Sequence, residues 1–104
     1  MQKNGSFAVV YRFSVHPGKE QNFLTAWTKM TLLIKEHEGG LGSRLHRSSN
    51  GEYIAYALWP DEQSYKKAGS KLPTSALEIR QTMRESCASI HTEFELNIVE
   101  DLIG

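Results

Sequence analysis

Hydrophobic and polar positions change period several times along the chain, and each change predicts an element. Residues 7–15, Phe-Ala-Val-Val-Tyr-Arg-Phe-Ser-Val, are rich in β-branched and aromatic side chains and predict a strand. His16-Pro17-Gly18 punctuates it. The period then becomes helical. Phe23, Ala26, Trp27, Met30, Leu33 and Ile34 form one stripe of a helix over about 18–36, which Gly39-Gly40 closes. Asn50-Gly51, between strand-like runs at 42–49 and 52–59, predicts a two-residue type I′ hairpin. Such a turn opposes Leu45 to Tyr56, Arg47 to Ile54 and His46 to Ala55. Pro60-Asp61 ends the second run, and Asp61 can cap a short helix at 61–68 that stops at Gly69. Pro73-Thr74 opens another helix to about 88, with Ala76, Ile79, Met83 and Cys87 as its stripe. The last run, 90–102, alternates: Phe94, Leu96 and Ile98 on one side, His91, Glu93, Glu95 and Asn97 on the other. Residues 1–6 are polar and expected to fray.

The order β-α-β-β-α-β is the ferredoxin-like pattern. It predicts an α+β fold: a four-stranded antiparallel sheet in strand order 4-1-3-2, with both long helices on one face. The expected register gives the helix face Phe13, Val15, Leu45, Ile54, Leu58, Phe94, Leu96 and Ile98. The other face receives Val10, Arg12, Arg44, His46, Tyr53, Ala55, Ala57, Trp59, His91, Glu93, Glu95 and Asn97. That second face mixes small, aromatic and charged side chains. A wet face is the plainer reading; partial cover by a second copy of the chain, leaving a pocket, is the sharper one.

Composition narrows the classes. The 104 residues suit one domain, with a core over about 7–98. Twelve basic and twelve acidic residues cancel, which leaves no argument for nucleic acid or an anionic membrane as partner. No apolar run is long enough to span a bilayer, and the first residues lack the apolar stretch of a signal peptide. With a single cysteine, these features lead to the expectation of a soluble cytoplasmic protein.

Several stretches resemble antibiotic-biosynthesis-monooxygenase (ABM) domains. They are Val10-Tyr11-Arg12-Phe13-Ser14-Val15 with Pro17-Gly18, Phe23 and Trp27; Gly39-Gly40-Leu41-Gly42; and Tyr53-Ile54-Ala55-Tyr56-Ala57-Leu58-Trp59-Pro60-Asp61. The resemblance covers roughly residues 7–98 and rests on packing and turn motifs. It implies a dimeric α+β barrel in which two sheets face each other and the last strands reach across. It also implies one of several activities: oxidation of aromatic polyketides by dioxygen without a cofactor, haem degradation, or none.

Trp59 matches a tryptophan shared by cofactor-independent oxygenases and haem degraders. It reads either as a pocket wall for a flat substrate or as a scaffold residue under the next helix. Arg12 and Arg44 could hold a phenolate or carboxylate, although Arg12 is expected to pair with Glu93 or Glu95. His46 and His91 are candidate bases. They lie on opposite edge strands about 14 Å apart, too far to share a site in one subunit. Tyr53 is the tyrosine expected in the pocket, and Tyr56 is expected in the core. Tyr65, with Ala68, is expected to anchor the short helix. The histidines show no metal-ligand spacing, and Cys87 reads as a buried thiol. The reading is a homodimer that oxidises a small quinol or polyphenol with dioxygen, without metal or cofactor. His46 and Tyr53 would be catalytic; Arg44, Trp59, Arg12 and His91 would bind substrate. A non-catalytic small-molecule-binding module is the alternative. Haem degradation is a third reading, but residues 74–88 hold no histidine ligand and Tyr11 stands where those relatives have asparagine.

Overall fold

The structure, a computed structural model, describes residues 5–103. Its elements follow in the order β1 (Phe7–Val15), α1 (Glu20–His37), β2 (Gly42–Arg47), β3 (Tyr53–Trp59), α2 (Glu62–Lys66), α3 (Ala76–Glu85) and β4 (Cys87–Asn97). The strands form one antiparallel sheet in the order β2-β3-β1-β4, the expected order read from the other edge. Helix α1 presents Phe23, Ala26 and Met30 as its buried stripe, as its period requires. It packs beside α3 over one face of the sheet. Helix α3 ends before Cys87, which opens β4 and packs with Phe13, Phe23, Tyr53 and Ala55.

The hairpin departs from expectation by one residue. Arg44 pairs with Tyr56, Leu45 with Ala55 and Arg47 with Tyr53. The turn is wider than a two-residue loop. The Gly51 N–H donates to the Ser48 carbonyl at 3.0 Å, and the Ser48 N–H donates to the Glu52 carbonyl at 2.8 Å. Gly51 sits at φ 89°, in the left-handed region that glycine enters without penalty. A turn followed by a left-handed glycine makes a three-residue loop, and Asn50 braces it by accepting from the Glu52 N–H at 3.1 Å.

One residue of slip turns a strand over. Leu45, Arg44 and His46 lie on the faces expected for them. All of β3 is reversed: Tyr53, Ala55, Ala57 and Trp59 face the helices, opposite Phe13, Tyr11, Val9 and Phe7 of β1. Ile54, Tyr56 and Leu58 take the open face. Tyr56, expected in the core, is 37% exposed.

The second correction is in β4. Val10 pairs with Phe94 but Tyr11 pairs with Thr92, so Glu93 is an extra residue in a bulge. The bulge changes which residues face the helices. Beyond it Phe94 and Leu96 lie opposite Val10 and Ala8 on the open face, while Glu95 turns to the helix side opposite Val9. Phe94 and Leu96 were expected beneath the helices.

The core is therefore on the helix side. Phe23 and Val9 are fully buried and Phe7 nearly so, each contributing about 1.5–3 kcal/mol by burial. Of the stretch expected to fray, residues 1–4 lie outside the described residues, but Ser6 is pinned. Its N–H donates to the Trp59 carbonyl at 3.2 Å, its Oγ to the Pro60 carbonyl at 2.6 Å, and its carbonyl accepts from the Ile98 N–H at 2.8 Å.

Candidate functional site

The six expected site residues divide between the two faces of the sheet. Arg12, Arg44, His46 and His91 lie on the open face. Tyr53 and Trp59 lie under the helices, so no single pocket in one subunit unites the set.

On the open face, Arg12 Nε contacts Glu93 Oε2 at 3.0 Å and its Nη1 contacts Glu52 Oε2 at 3.2 Å. The pair with Glu93 is one of the two expected; Glu95, the other, is on the opposite side of the sheet. The Ser14 hydroxyl also donates to Glu52 Oε2, at 2.7 Å. That bond first, and Arg12 after it, hold the Glu52 carboxyl below its ordinary range against the opposing effect of burial. His46 Nδ1 lies 3.0 Å from the Ile54 carbonyl, on the edge strand opposite to that of His91. Arg44 lines a groove of about 600 Å³, with Tyr56 and Leu58 on one wall and the 98–103 tail on the other. Trp59 does not line that groove.

Under the helices, Tyr53 is a core ring. It is 8% exposed, lies 5.3 Å from Phe23, and carries the Arg47 guanidinium over its face at 5.7 Å. The corrected register removes it from the pocket side expected for it.

Trp59 is a different case. It is 4% exposed, and its Nε1 is a buried donor without a partner among the described residues. An unpaired buried donor costs about 1–3 kcal/mol, so it calls for an explanation. Phe7 and Val9 share its buried cluster, and Tyr11, Ile34, Tyr65 and Ala68 pack against that cluster. Tyr65, on α2, lies edge-on to Trp59 at 5.7 Å and over Phe7 at 5.6 Å. From there it crosses the sheet and its hydroxyl donates to Glu95 Oε2 at 3.1 Å. Asp61 aims the segment: its carboxylate accepts from the Ser64 N–H at 2.8 Å and starts α2 just past the strand.

Tyr11 completes the group. Burial raises its hydroxyl well above the ordinary tyrosine range, and neighbouring Tyr65 and then Glu95 push it further. Tyr65 is raised by burial first and by Glu95 second. Both therefore remain phenols, able to donate, beside a carboxylate that accepts. The arrangement offers an aromatic wall, an unused N–H donor, two protonated hydroxyls and a proton acceptor. Among the described residues no cluster of three His, Cys, Asp or Glu could hold a metal ion. None of their helices is long and apolar enough to cross a membrane.

Tyr11, Tyr65 and Glu95 were not among the expected site residues. Tyr11 was legible: it shares the alternation of Phe13, whose face was assigned correctly. Glu95 was hidden by the bulge, and Tyr65 by the reversed strand that carries Trp59.

The fold is a ferredoxin-like α+β domain, with an aromatic and hydroxyl-bearing candidate site on the helix side of its sheet. Residues 6–70 match the family model of the antibiotic biosynthesis monooxygenases, and the chain belongs to that family. Its fold is similar to that of SnoaB, a cofactor-independent oxygenase from Streptomyces nogalater. The two are 17% identical over 94% of this chain and 97% of that one, with a TM-score of 0.72. A Caulobacter crescentus protein carrying the family's designation is 25% identical over 92% of each chain, with a TM-score of 0.75. Rv0793 from Mycobacterium tuberculosis is 15% identical over 93% of this chain and 98% of that one, with a TM-score of 0.70. Comparison with curated proteins gives no match.

Proposed function

We propose that the protein is a monooxygenase that oxidises a small electron-rich aromatic, of the quinol or anthrone type, with dioxygen and no added cofactor. The observation that carries this reading is the unpartnered indole N–H of Trp59 beside the Tyr11, Tyr65 and Glu95 group. Membership of the family supplies the reaction class; the residues supply a way to run it.

A flat substrate would lie against Trp59 and accept the indole N–H at one ring oxygen, ending the cost of an unpaired donor. Tyr11, kept protonated, would donate to an oxygen that gains negative charge as the ring is deprotonated, while the Tyr65 hydroxyl holds Glu95 in place. Glu95, bonded to Tyr65, is the acceptor for the proton released. The carbanion then adds dioxygen. In an anthrone, one oxygen atom stays as the new carbonyl, and the other leaves as water with both hydrogens of the ring CH2. Electrons and atoms balance without an external reductant.

The open face has a separate part in this proposal. Ile54, Tyr56, Leu58, Phe94 and Leu96 form an apolar field there, and Phe94 is 58% exposed in the single chain. An exposed field of this kind marks an association surface. We assign it to a homodimer, with Arg12, Arg44, His46 and His91 as its polar surroundings rather than as catalytic groups.

The test is oxygen uptake with a panel of quinols and anthrones in the presence of a chelator. The expected result is one dioxygen consumed per substrate, with kcat/KM lowered about tenfold or more in Trp59→Phe. A panel that shows no uptake above buffer overturns the reading.

A further inference from the structure

Trp59 raises a problem of access. At 4% exposure its indole cannot be reached from solvent with the chain arranged as it is. Its cover comes from two sources. Phe7 and Val9 belong to a central strand, and Ile34 belongs to α1. These are parts of the core. Tyr65 and Ala68 belong to α2 and the loop that follows it.

The α2 segment is held in another way. Helix α2 contributes no fully buried residue, and Gly69–Pro73 beyond it has no regular structure. Besides the packing of Tyr65 and Ala68 on the cluster of Phe7, Val9 and Trp59, the segment has two polar attachments to the body. One is the Tyr65–Glu95 bond. The other is Glu38, the C-cap residue of α1, whose Oε1 accepts from the Gly69 N–H and, at 3.4 Å, from the Lys71 N–H.

The position of Glu38 is informative. A carboxylate at a helix C-terminus faces the negative end of the helix dipole and does nothing for its own helix. Glu38 is nevertheless 9% exposed, the one carboxylate among the described residues that is buried to this degree. Its gain must come from the two backbone donors of 69–71. The same turn of chain closes on Trp59. Gly40 has no Cβ, and one built there would lie 2.7 Å from Ile34 Cγ2 and 3.6 Å from Trp59 Cη2. Glu38 thus ties the α2 side of the cover to its core side.

We propose that Glu38 is a positioning residue for the Trp59 site. It latches residues 61–72 as a lid over the indole, and release of the 69–71 backbone from its carboxylate admits the ligand. This rests on the reading that Trp59 lines the site, but the latch can be measured without any substrate.

The experiment uses a Trp27→Phe background, in which Trp59 is the sole tryptophan. Acrylamide quenching of its fluorescence reports exposure, and amide hydrogen exchange reports opening of the lid and the sheet separately. Glu38→Ala should speed exchange at Gly69 and Lys71 by about tenfold or more, as loss of a charge-assisted bond implies. It should also raise the quenching constant of Trp59, while β1 and β3 amides keep their protection. Glu38→Gln, which keeps an acceptor oxygen, should restore much of the shielding. Unchanged quenching in a folded Glu38→Ala protein overturns the proposal, as does a rise that only accompanies exchange of β1 and β3. If Glu38→Ala does not fold, the parent protein decides. There, 61–72 should exchange through an opening that leaves β1 and β3 protected; exchange of the segment only together with the sheet overturns the latch. A protein with a working latch and no oxygen uptake would refute the proposed activity alone.

Discussion

The two faces of this sheet use similar residues to opposite ends. Under the helices, aromatic side chains are closed in, and Tyr65 reaches from among them to an exposed Glu95. Tyr11 and Tyr65 are raised because water is removed from them. On the open face the aromatic groups are exposed, and the polar ones are tied by direct pairing. Glu52 is lowered because Ser14 and Arg12 contact it. One face is a packed core that holds a buried donor; the other leaves apolar side chains exposed. Trp59 Nε1 is buried without a partner among the described residues, and Phe94 is apolar and exposed; the ligand and the second chain proposed above answer these two features.

Substitutions on the two faces should behave differently. Phe23→Ala removes a fully buried ring packed on Phe13 at 4.9 Å and should cost about 3–5 kcal/mol in urea unfolding. A loss under 1 kcal/mol would mean that the helix side is not the main core. Phe94→Asp places a charge in the open apolar field. It should reduce the light-scattering mass to that of one 11.8 kDa chain while leaving the helix-side core folded. A parent protein that already scatters as one chain at micromolar concentration breaks the comparison at its open side. Tyr65→Phe keeps the ring over Phe7 and Trp59 but loses the bond to Glu95. The expected cost is about 0.5–1.5 kcal/mol in stability, with a larger loss in quinol oxidation. Equal rates in Tyr65→Phe and parent would remove the hydroxyl from the mechanism.

The smallest effects are in pH dependence, and the faces should differ in sign. Burial pushes the Cys87 thiol up to about 11 from an ordinary 9.0. Its contribution is intact below the unfolded value and is lost as pH rises from 9.0 toward 11, because the unfolded thiol ionises first. Tyr11 and Tyr65 act in the same direction at higher pH. Glu52, lowered by Ser14 and Arg12, contributes above its ordinary 4.5 and loses that contribution as pH falls through its folded value. Thermal midpoints against pH should show a shallower alkaline limb in Cys87→Ala and a shallower acid limb in Ser14→Ala. Limbs that stay parallel to the parent in both variants would deny the assignment.

Much of this molecule was legible from residue order. Alternation in 7–15 marked β1, the stripe from Phe23 to Ile34 marked α1, and the element order predicted the sheet order. Local rules were sufficient there because each signal repeats over many residues. The hairpin shows their limit. Asn50-Gly51 does sit in the turn, but Gly51 alone takes the left-handed conformation, as the last residue of a three-residue loop. The choice between two turns differs by one residue, and that residue reversed the whole of β3.

The sequence by itself determined the elements, their order and the residue types able to do chemistry, because propensity and period are local. Which of those residues meet was decided only by tertiary structure. A turn one residue wider put Trp59 under the helices, and a bulge at Glu93 turned Glu95 to the same side of the sheet. Both events concern pairing between strands. A strand's alternation says which side chains share a face, but not which face; that is settled where the hydrogen bonds of its neighbour begin.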